Sequence, residues 1–147
     1  NGGYAPVAAP QMAALEALLA DMLARHGIPA ARVLGHQCVA PDRKQDPGRR
    51  FDWRRLARRG LSVWLDWPGA DDREADAAAF RAAARAFGYA VPEAGAWCPA
   101  TVAVAAAFRS RFRPADTGEG PLDRAGLAHL EALAARWPAK ACPEPAA

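Results

Sequence analysis

Three side chains in one short stretch have the types that hydrolytic chemistry needs. His36, Lys44 and Asp46 lie between Gly35 and Gly48. An imidazole nitrogen and a carboxylate are ordinary zinc ligands, and a nearby ammonium can stabilise negative charge that develops on a substrate oxygen. These residue types are therefore the ones that a hydrolytic metal site needs. The spacing is also compatible with a polar surface loop in which His36 is hydrogen-bonded and Asp46 begins a turn.

The elements around this stretch must position the three side chains. Pro41, Pro47 and the flanking glycines predict an irregular loop over residues 35–48, neither helix nor strand. Residues 32–34 are predicted to form a short strand that delivers His36 at its C-terminal end. Because ligands commonly bind at the strand ends of α/β sheets, this placement favours a site in the loop.

Two helices are predicted on either side of the loop. Residues 11–26 carry apolar side chains at spacings of three and four, which is typical of an amphipathic helix, and Gly27 ends it. His26 falls in the last turn, where a cation favours the helix dipole, so we interpret it as a surface or helix-end histidine. Asp52 is expected to cap a short helix that runs to about Arg59.

The amino-acid sequence of the loop resembles that of a known protein family. Residues 32–36 read Arg-Val-Leu-Gly-His, and residues 40–48 read Ala-Pro-Asp-Arg-Lys-Gln-Asp-Pro-Gly. These runs closely resemble the zinc-dependent N-acetylmuramoyl-L-alanine amidases, in particular the branch related to peptidoglycan recognition proteins. The resemblance implies that His36 and Asp46 are two of the three zinc ligands and that Lys44 stabilises the transition state. It continues through six further residues: Phe51, Trp53, Leu56, Ala57, Gly60 and Trp64.

The chain also departs from the family pattern. Gln37 and Cys38 stand where the family usually has Ser-Asp, so the thiol is either a spectator or an alternative soft ligand. The family's first zinc histidine and its catalytic glutamate lie well upstream of the motif. We therefore expect this chain to be the C-terminal part of a longer protein, and to lack activity or bind zinc weakly when alone.

The second half is predicted to be helical. A boundary is expected at residues 67–71, followed by helices at 72–87 and 99–112 and a last helix that Asp123 caps and that ends near Trp137. Residues 139–147 are predicted to be a disordered tail. His129 lies on the last helix and is not favoured as a metal ligand.

This half resembles the small peptidoglycan-binding domain that follows such amidases. The residues that carry the resemblance are Phe87-Gly88-Tyr89, residues 108–114, Gly120, Asp123, Leu127 and Leu130. Arg109 replaces the usual glutamine. The aromatic residues Phe108 and Phe112 are expected in the core, and no residue is assigned to glycan contact.

Composition excludes some other functions. The net charge of +3 is mild for a dedicated nucleic-acid binder, and no apolar run approaches the roughly 18 residues of a membrane span. Three widely spaced cysteines do not form a disulfide framework. Arginines at positions 49, 50, 54, 55, 58 and 59 are interpreted as a solvated helix face, with contact to phosphate, nucleic acid or an anionic wall polymer as alternatives.

The sequence thus predicts an α/β C-terminal portion of an amidase domain at residues 1–66, built of helix, strand, zinc loop and short helix. A small all-α three-helix domain is predicted at residues 72–138. The expected function is Zn²⁺-dependent hydrolysis of the amide between N-acetylmuramic acid and L-alanine, with peptidoglycan or muropeptides as partners and a periplasmic or extracellular location. The alternative is a non-catalytic peptidoglycan-binding protein with a degenerate amidase remnant.

Overall fold

A computed structural model describes residues 5–67 and 69–139 of the chain. Its helices are α1 (Ala9–His26), α2 (His36–Val39), α3 (Trp53–Arg58), α4 (Ala77–Phe87), α5 (Pro99–Phe112) and α6 (Arg124–Arg136). No helix in these two ranges is long and apolar enough to cross a membrane. The tail predicted at 139–147 lies, apart from Ala139, outside the described residues.

Helix α1 packs on the short helix α3 as the apolar stripe predicts. Met12 of α1 lies in a buried cluster with Trp53, Leu56 and Leu61. Gly27 ends α1 in the left-handed conformation, and its N–H donates to the carbonyl of Leu23. The helix begins two residues earlier than predicted.

One buried acid joins these helices. Glu16 of α1 is only 6% exposed, and its carboxylate accepts hydrogen bonds from Arg55 and pairs with Arg59. The hydrogen bond from Arg55 holds the pKa of Glu16 below its usual value. Arg54 pairs with Asp66, so part of the basic cluster serves contacts within the fold.

The predicted α/β class is wrong: the described residues form helices and turns, with no strand among them. The predicted strand at 32–34 is replaced by a 3₁₀ turn at Ala30–Arg32 followed by irregular chain. A strand requires a neighbouring strand to bond its backbone. Here the N–H groups of Arg32 and Val33 donate to the carbonyls of Pro29 and Ala30. The Val33 carbonyl accepts from the Arg111 side chain instead of from a strand.

The prediction of a wholly irregular loop at 35–48 also needs correction. His36–Val39 form one helical turn, α2, in which the Ala40 N–H donates to the His36 carbonyl at 2.8 Å. Neither proline falls inside this turn, so nothing prevents it. Successive side chains of a helical turn point about 100° apart, so His36 is exposed while Gln37 and Cys38 are buried.

The second half contains the three predicted helices, with one boundary shifted. Helix α4 begins at Ala77 and not at residue 72, because Asp76 caps it by accepting from the Ala79 N–H at 2.7 Å. The preceding residues cannot be helical because the Ala75 N–H donates to the carbonyl of Leu122. Asp123 caps α6 as predicted.

The two halves share buried surface. Cys38 of α2 and Val63 lie in the same apolar cluster as Phe108 and Phe112 of α5. Trp64 packs against this cluster and against the α1–α3 cluster. The division at residues 67–71 stays a prediction, but the loop at 35–48 rests directly on the helical half.

Candidate metal centre

His36 and Asp46 meet at the protein surface. Their Nδ1 and Oδ2 atoms are 2.6 Å apart, and the two side chains are 73% and 53% exposed. A carboxylate only accepts hydrogen bonds, so the Nδ1–H group donates. This bond is the largest influence on Asp46 and lowers the pKa of its carboxyl. The pair therefore presents an ionised carboxylate and an imidazole to solvent at neutral pH.

The backbone brings these two residues together across ten positions of sequence. The Gln37 N–H donates to the Asp46 carbonyl at 2.9 Å, which ties α2 to the end of the loop. Gly35 makes the approach possible, because a Cβ there would lie 2.5 Å from Pro47 Cδ and 3.2 Å from Trp53 Cζ2. A turn after α2, in which the Arg43 and Lys44 N–H groups donate to the Ala40 carbonyl, reverses the chain between the two residues, and the Asp46–Pro47 peptide bond that follows is cis.

Lys44 lies on the same exposed loop. Its N–H donates to the Ala40 carbonyl at 2.9 Å, which holds the turn. Among the described residues its side chain forms no ion pair within 4 Å, although its charge helps to lower the pKa of Asp46. The ammonium is therefore available to a ligand near the His36–Asp46 pair.

The donor set fits part of a zinc site. Zinc bonds to imidazole nitrogen and carboxylate oxygen are both about 2.0–2.2 Å long, so two donor atoms this close can reach one ion. In the described parts of the chain, no group of three or more His, Cys, Asp or Glu side chains could hold a metal. The residues present thus supply two ligands, and a complete catalytic site needs a third.

The other side chains considered as ligands lie elsewhere. Cys38 is only 7% exposed and packs in the apolar cluster of the helical half, so its thiol faces away from the pair. His129 is buried, and its Nε2 lies 2.9 Å from the Leu65 carbonyl. His26 ends α1. The sequence left Cys38 open as a spectator or a ligand, and its burial favours the spectator.

The buried face of α2 makes polar contacts with α5. The Gln37 Oε1 accepts from the Gly48 N–H at 3.3 Å and from the Ser110 hydroxyl at 3.1 Å. The Cys38 Sγ lies 3.6 Å from Arg111 Nη1. Burial, with a smaller effect of the neighbouring thiol, raises the pKa of Tyr89 well above its usual value. Groups of the helical half thus contact the buried face of α2 and stabilise the position of the loop.

Arg111 is the central residue of this contact. It is 1% exposed, and its Nη2 donates to the Val33 carbonyl at 3.2 Å and to the Ser62 hydroxyl at 3.3 Å. Its guanidinium lies 4.4 Å from the centroid of the Trp53 ring. No carboxylate of the described residues pairs with it. Carbonyl, hydroxyl and aromatic groups therefore stabilise this buried cation.

Sequence reasoning did not identify Arg111 or Ser110 as residues that support the site. A signal was present for Arg111, which follows Val104 and Phe108 at spacings of seven and three, on the apolar side of α5. A charge on such a stripe predicts a buried polar contact. No comparable signal identifies Ser110.

Comparison with known proteins agrees with the motif. Residues 1–49, which include the His36–Asp46 pair and Lys44, match a family model described as N-acetylmuramoyl-L-alanine amidase. A 63-residue segment is 41% identical to N-acetylmuramoyl-L-alanine amidase AmiD of Escherichia coli and covers 43% of this chain and 23% of AmiD.

Solved structures extend the similarity beyond this segment. A complex of Escherichia coli AmiD with anhydro-N-acetylmuramic acid-L-Ala-D-γ-Glu-L-Lys is 31% identical, with a TM-score of 0.80 over 90% of this chain and 54% of AmiD. AMPDH3 from Pseudomonas aeruginosa is 26% identical, with a TM-score of 0.73 over 90% of this chain and 55% of its own. AMPDH3 in complex with anhydromuramic pentapeptide gives a TM-score of 0.72 at 28% identity over 92% of this chain and 56% of that one.

The chain spans about half the length of these solved relatives. The similar region covers nine-tenths of this chain and therefore includes most of both halves, and the loop that carries the His36–Asp46 pair lies within the family match at residues 1–49. The chain is therefore homologous to AmiD, and its first third matches the N-acetylmuramoyl-L-alanine amidase family.

Proposed function

We propose that this chain carries part of the active site of a zinc-dependent N-acetylmuramoyl-L-alanine amidase. The observation that carries the proposal is the exposed contact of His36 Nδ1 with Asp46 Oδ2 at 2.6 Å. Two good zinc donors converge there within a segment that matches the amidase family. The substrate bond is the amide between the lactyl group of N-acetylmuramic acid and the L-alanine of the stem peptide.

His36 and Asp46 would hold the metal, and Lys44 would act on the substrate. When bound, zinc supplies a water of lowered pKa and polarises the amide carbonyl. Water attacks the carbonyl carbon, the C–N bond breaks, and the alanine nitrogen leaves as a protonated amine. The exposed Lys44 ammonium stabilises the negative charge on the carbonyl oxygen during attack. The third ligand and the general base that the resemblance implies are not assigned to residues of this chain.

The bound molecules of the relatives support a muropeptide as substrate. AmiD was solved with an anhydromuramyl tripeptide and AMPDH3 with an anhydromuramic pentapeptide. From the resemblance of its sequence to the small peptidoglycan-binding domain, the helical half of this chain is proposed to act as a peptidoglycan-binding region. An enzyme that meets peptidoglycan works in the periplasm or outside the cell, so we propose the cell envelope as its location.

Zinc affinity tests the assignment directly. The wild-type chain, His36→Ala and Asp46→Ala are titrated with zinc against a chromogenic chelator, with His26→Ala as a control that removes a histidine outside the loop. We expect weak one-to-one binding in the wild type and in the His26 variant, and loss of binding in the two loop variants. Equal affinity in all four proteins would contradict the assignment.

Activity tests the same residues in the full-length protein. Hydrolysis of anhydro-N-acetylmuramyl-L-Ala-D-γ-Glu-L-Lys is expected to fall by at least 100-fold in His36→Ala, because loss of a ligand removes the metal. Lys44→Met should lower kcat by a similar factor and leave zinc affinity unchanged. Full activity in either variant would contradict the proposed roles.

A non-catalytic role remains the second candidate. The observation that favours it is that the described residues supply only two candidate ligands and that Cys38 is buried. Retention of the chain on insoluble peptidoglycan, with no zinc binding and no hydrolysis by the full-length protein, would support this alternative. The entire chain is the correct probe, because the helical half shares its core with Cys38 and Val63.

A further inference from the structure

A pocket of about 360 Å³ lies on the buried side of α2, apart from the candidate metal centre. Cys38, Tyr89 and Arg111 line it, whereas His36 and Asp46 do not. Its apolar walls are formed by Pro29, Ala31, Leu34, Phe87, Trp137 and Pro138. Apolar walls with a few polar groups are typical of small-molecule sites, and the volume is in the lower part of their range.

The polar groups of this pocket have unused donors. Arg111 is 1% exposed and Tyr89 is 5% exposed, and neither the Arg111 Nε nor the Tyr89 hydroxyl has a hydrogen-bond partner among the described residues. The Arg111 Nη1 contacts the Cys38 Sγ at 3.6 Å, and a thiol sulfur is a weak acceptor. Buried polar groups are nearly always paired in native proteins, so these donors indicate an acceptor that a ligand supplies.

The charges around the pocket are all positive. Among the described lining residues the charged ones are Arg32, Arg111 and Arg136, and none of them pairs with a described carboxylate within 4 Å. Burial, with a smaller effect of the Cys38 thiol, raises the pKa of Tyr89, and the charge of Arg111 opposes this rise. The hydroxyl and the guanidinium are therefore close enough to interact. A buried cation without a partner is costly, so the pocket favours an anion.

We propose that this pocket binds a small monocarboxylate with an apolar body, such as a medium-chain fatty acid. The carboxylate accepts hydrogen bonds from the Arg111 Nε and the Tyr89 hydroxyl. The alkyl chain lies against Leu34, Phe87 and Trp137, and it covers Leu34, which is 49% exposed. A neutral apolar molecule leaves the guanidinium unpaired, and a phosphate or dicarboxylate gains nothing from the apolar walls.

Octanoate is the probe, and 1-octanol is its uncharged control. Each is titrated into the zinc-free 147-residue chain, and binding is followed by amide chemical shifts in NMR spectra. We expect shifts at Cys38 and Tyr89, and an affinity for octanoate at least about 10-fold higher than for octanol, because a hydrogen bond to a charged group is strong. Absence of octanoate binding, or equal affinity for the two probes, would overturn the proposal.

Two arginine variants distinguish the buried cation from those at the edge of the pocket. Arg111→Met should weaken octanoate at least about 10-fold and change octanol less than about 2-fold, since it removes the charge and keeps an apolar side chain. Arg136→Met removes a more exposed cation and should weaken octanoate less than about 3-fold. If Arg136→Met has the larger effect, surface charge attracts the probe and the proposal fails.

A carboxylate built into the pocket tests the same charge without removing Arg111. Because the Cys38 Sγ lies 3.6 Å from Arg111 Nη1, Cys38→Asp places a carboxylate beside the guanidinium. It should weaken octanoate at least about 10-fold, whereas the neutral variant Cys38→Ser should stay within about 3-fold of the wild type. These variants decide the matter if Arg111→Met fails to fold by circular dichroism. Unchanged affinity in Cys38→Asp would contradict the proposed contact.

Two further measurements separate this pocket from the site of the proposed function. His36→Ala should bind octanoate as the wild type does, because His36 does not line the pocket. The product peptide L-Ala-D-γ-Glu-L-Lys has carboxylates but no long apolar body, so it should not displace octanoate. Displacement by the peptide would assign the pocket to the muropeptide and overturn the inference. If the protein neither binds zinc nor hydrolyses muropeptide, the amidase proposal fails and selective octanoate binding still stands.

Discussion

His36 and Cys38 are two residues apart in one helical turn, yet they face opposite environments. The His36 side chain is 73% exposed and contacts Asp46, whereas Cys38 is 7% exposed and packs behind the turn near Arg111. The outward face therefore carries the groups proposed for chemistry, and the inward face carries the contacts that hold the turn. A substitution on one face should have consequences quite different from a substitution on the other.

The two faces also differ in what supports them. The outward pair depends on backbone geometry, because the Gln37 N–H bonds the Asp46 carbonyl and Gly35 lets the loop approach itself. The inward face depends on side chains of α5, since Ser110 and Arg111 supply its polar partners. The helical half is thus part of the support of the candidate metal loop.

Arg111→Ala should have the largest effect on stability. It removes the donors to the Val33 carbonyl and the Ser62 hydroxyl and leaves a cavity beside Trp53. We expect the free energy of unfolding to fall by about 3 kcal/mol. Urea denaturation followed by circular dichroism measures it.

Arg111→Met is the matched control for that prediction. The methionine fills much of the same space and introduces no charge, and a buried cation carries a desolvation cost that its removal relieves. We expect a loss of about 1 kcal/mol, from the unpaired Val33 carbonyl. If the alanine variant unfolds within 1 kcal/mol of the wild type, the inward face does not hold the loop as described.

Gly35→Ala should disturb both faces at once, with a smaller loss of about 2 kcal/mol. The new Cβ would meet Pro47 Cδ at 2.5 Å, and the ring cannot rotate away, so the two ends of the loop must separate. Zinc affinity should fall together with stability, because His36 and Asp46 move apart. Denaturation and the chelator titration are made on the same variant.

Gly60→Ala is the control that distinguishes the steric clash expected in Gly35→Ala from a general effect of backbone strain on stability. Gly60 has a φ of +71° and nothing within 4 Å of its ideal Cβ. Alanine there should cost about 1 kcal/mol through the left-handed conformation and leave zinc affinity unchanged. A parallel loss of zinc affinity in both variants would show that the loop responds to stability alone and not to the contact at Gly35.

The helices were predictable because their signals are local. The apolar stripe of α1, the cap at Asp123 and the stop at Gly27 depend on residues within a few positions. The strand at 32–34 was wrong because strand formation depends on a distant partner. In this chain the partner of the Val33 carbonyl is a side chain 78 residues away. The predicted start of a helix at residue 72 was wrong for the same reason, since the Ala75 N–H donates to the distant Leu122 carbonyl.

The exposed residues of the candidate site could be predicted from the motif, but the roles of the buried residues behind them could not. His36, Lys44 and Asp46 have residue types that suggest chemistry, and the structure places His36 against Asp46. Gln37 and Cys38 were visible as departures, but their role depends on which face of a four-residue turn meets α5. Local sequence does not determine that face, because it follows from packing between two halves of the chain.

His129 should make stability depend on pH. It is 1% exposed and stacks on Trp67, and its Nδ1 has no hydrogen-bond partner among the residues that the structure describes. Burial is the largest cause that lowers its pKa from 6.5, and Arg113 adds to the effect, while the bond to the Leu65 carbonyl and the charge of Asp66 oppose it. Because the pKa of His129 in the folded chain lies below 6.5, the stabilisation is complete above pH 6.5. It is lost as the pH falls from 6.5 toward the folded pKa, because over this interval the unfolded chain takes up a proton that the folded chain does not.

The measurement is urea denaturation at pH 7.5, 6.5 and 5.5 for the wild type and His129→Gln. The slope attributable to one proton is at most about 1.4 kcal/mol per pH unit, and we expect the stability of the wild type to fall between pH 6.5 and pH 5.5. The variant should show a flatter dependence over the same interval. If both proteins lose stability equally, the pH dependence does not come from His129.

Asp46→Asn should change stability least and zinc binding most. It therefore tests most directly whether the exposed face serves zinc binding while the buried face supports the fold. The side chain is 53% exposed, and its bond to His36 Nδ1 is at the surface. Exposed substitutions of this kind usually change the free energy of unfolding by less than about 0.5 kcal/mol. The amide keeps an acceptor for His36 but loses the negative charge that a zinc ligand supplies. We expect an unchanged urea midpoint and loss of zinc binding in the chelator titration. A large fall in stability would mean that the pair is a structural contact of the loop, and that the outward face supports the fold as the inward face does.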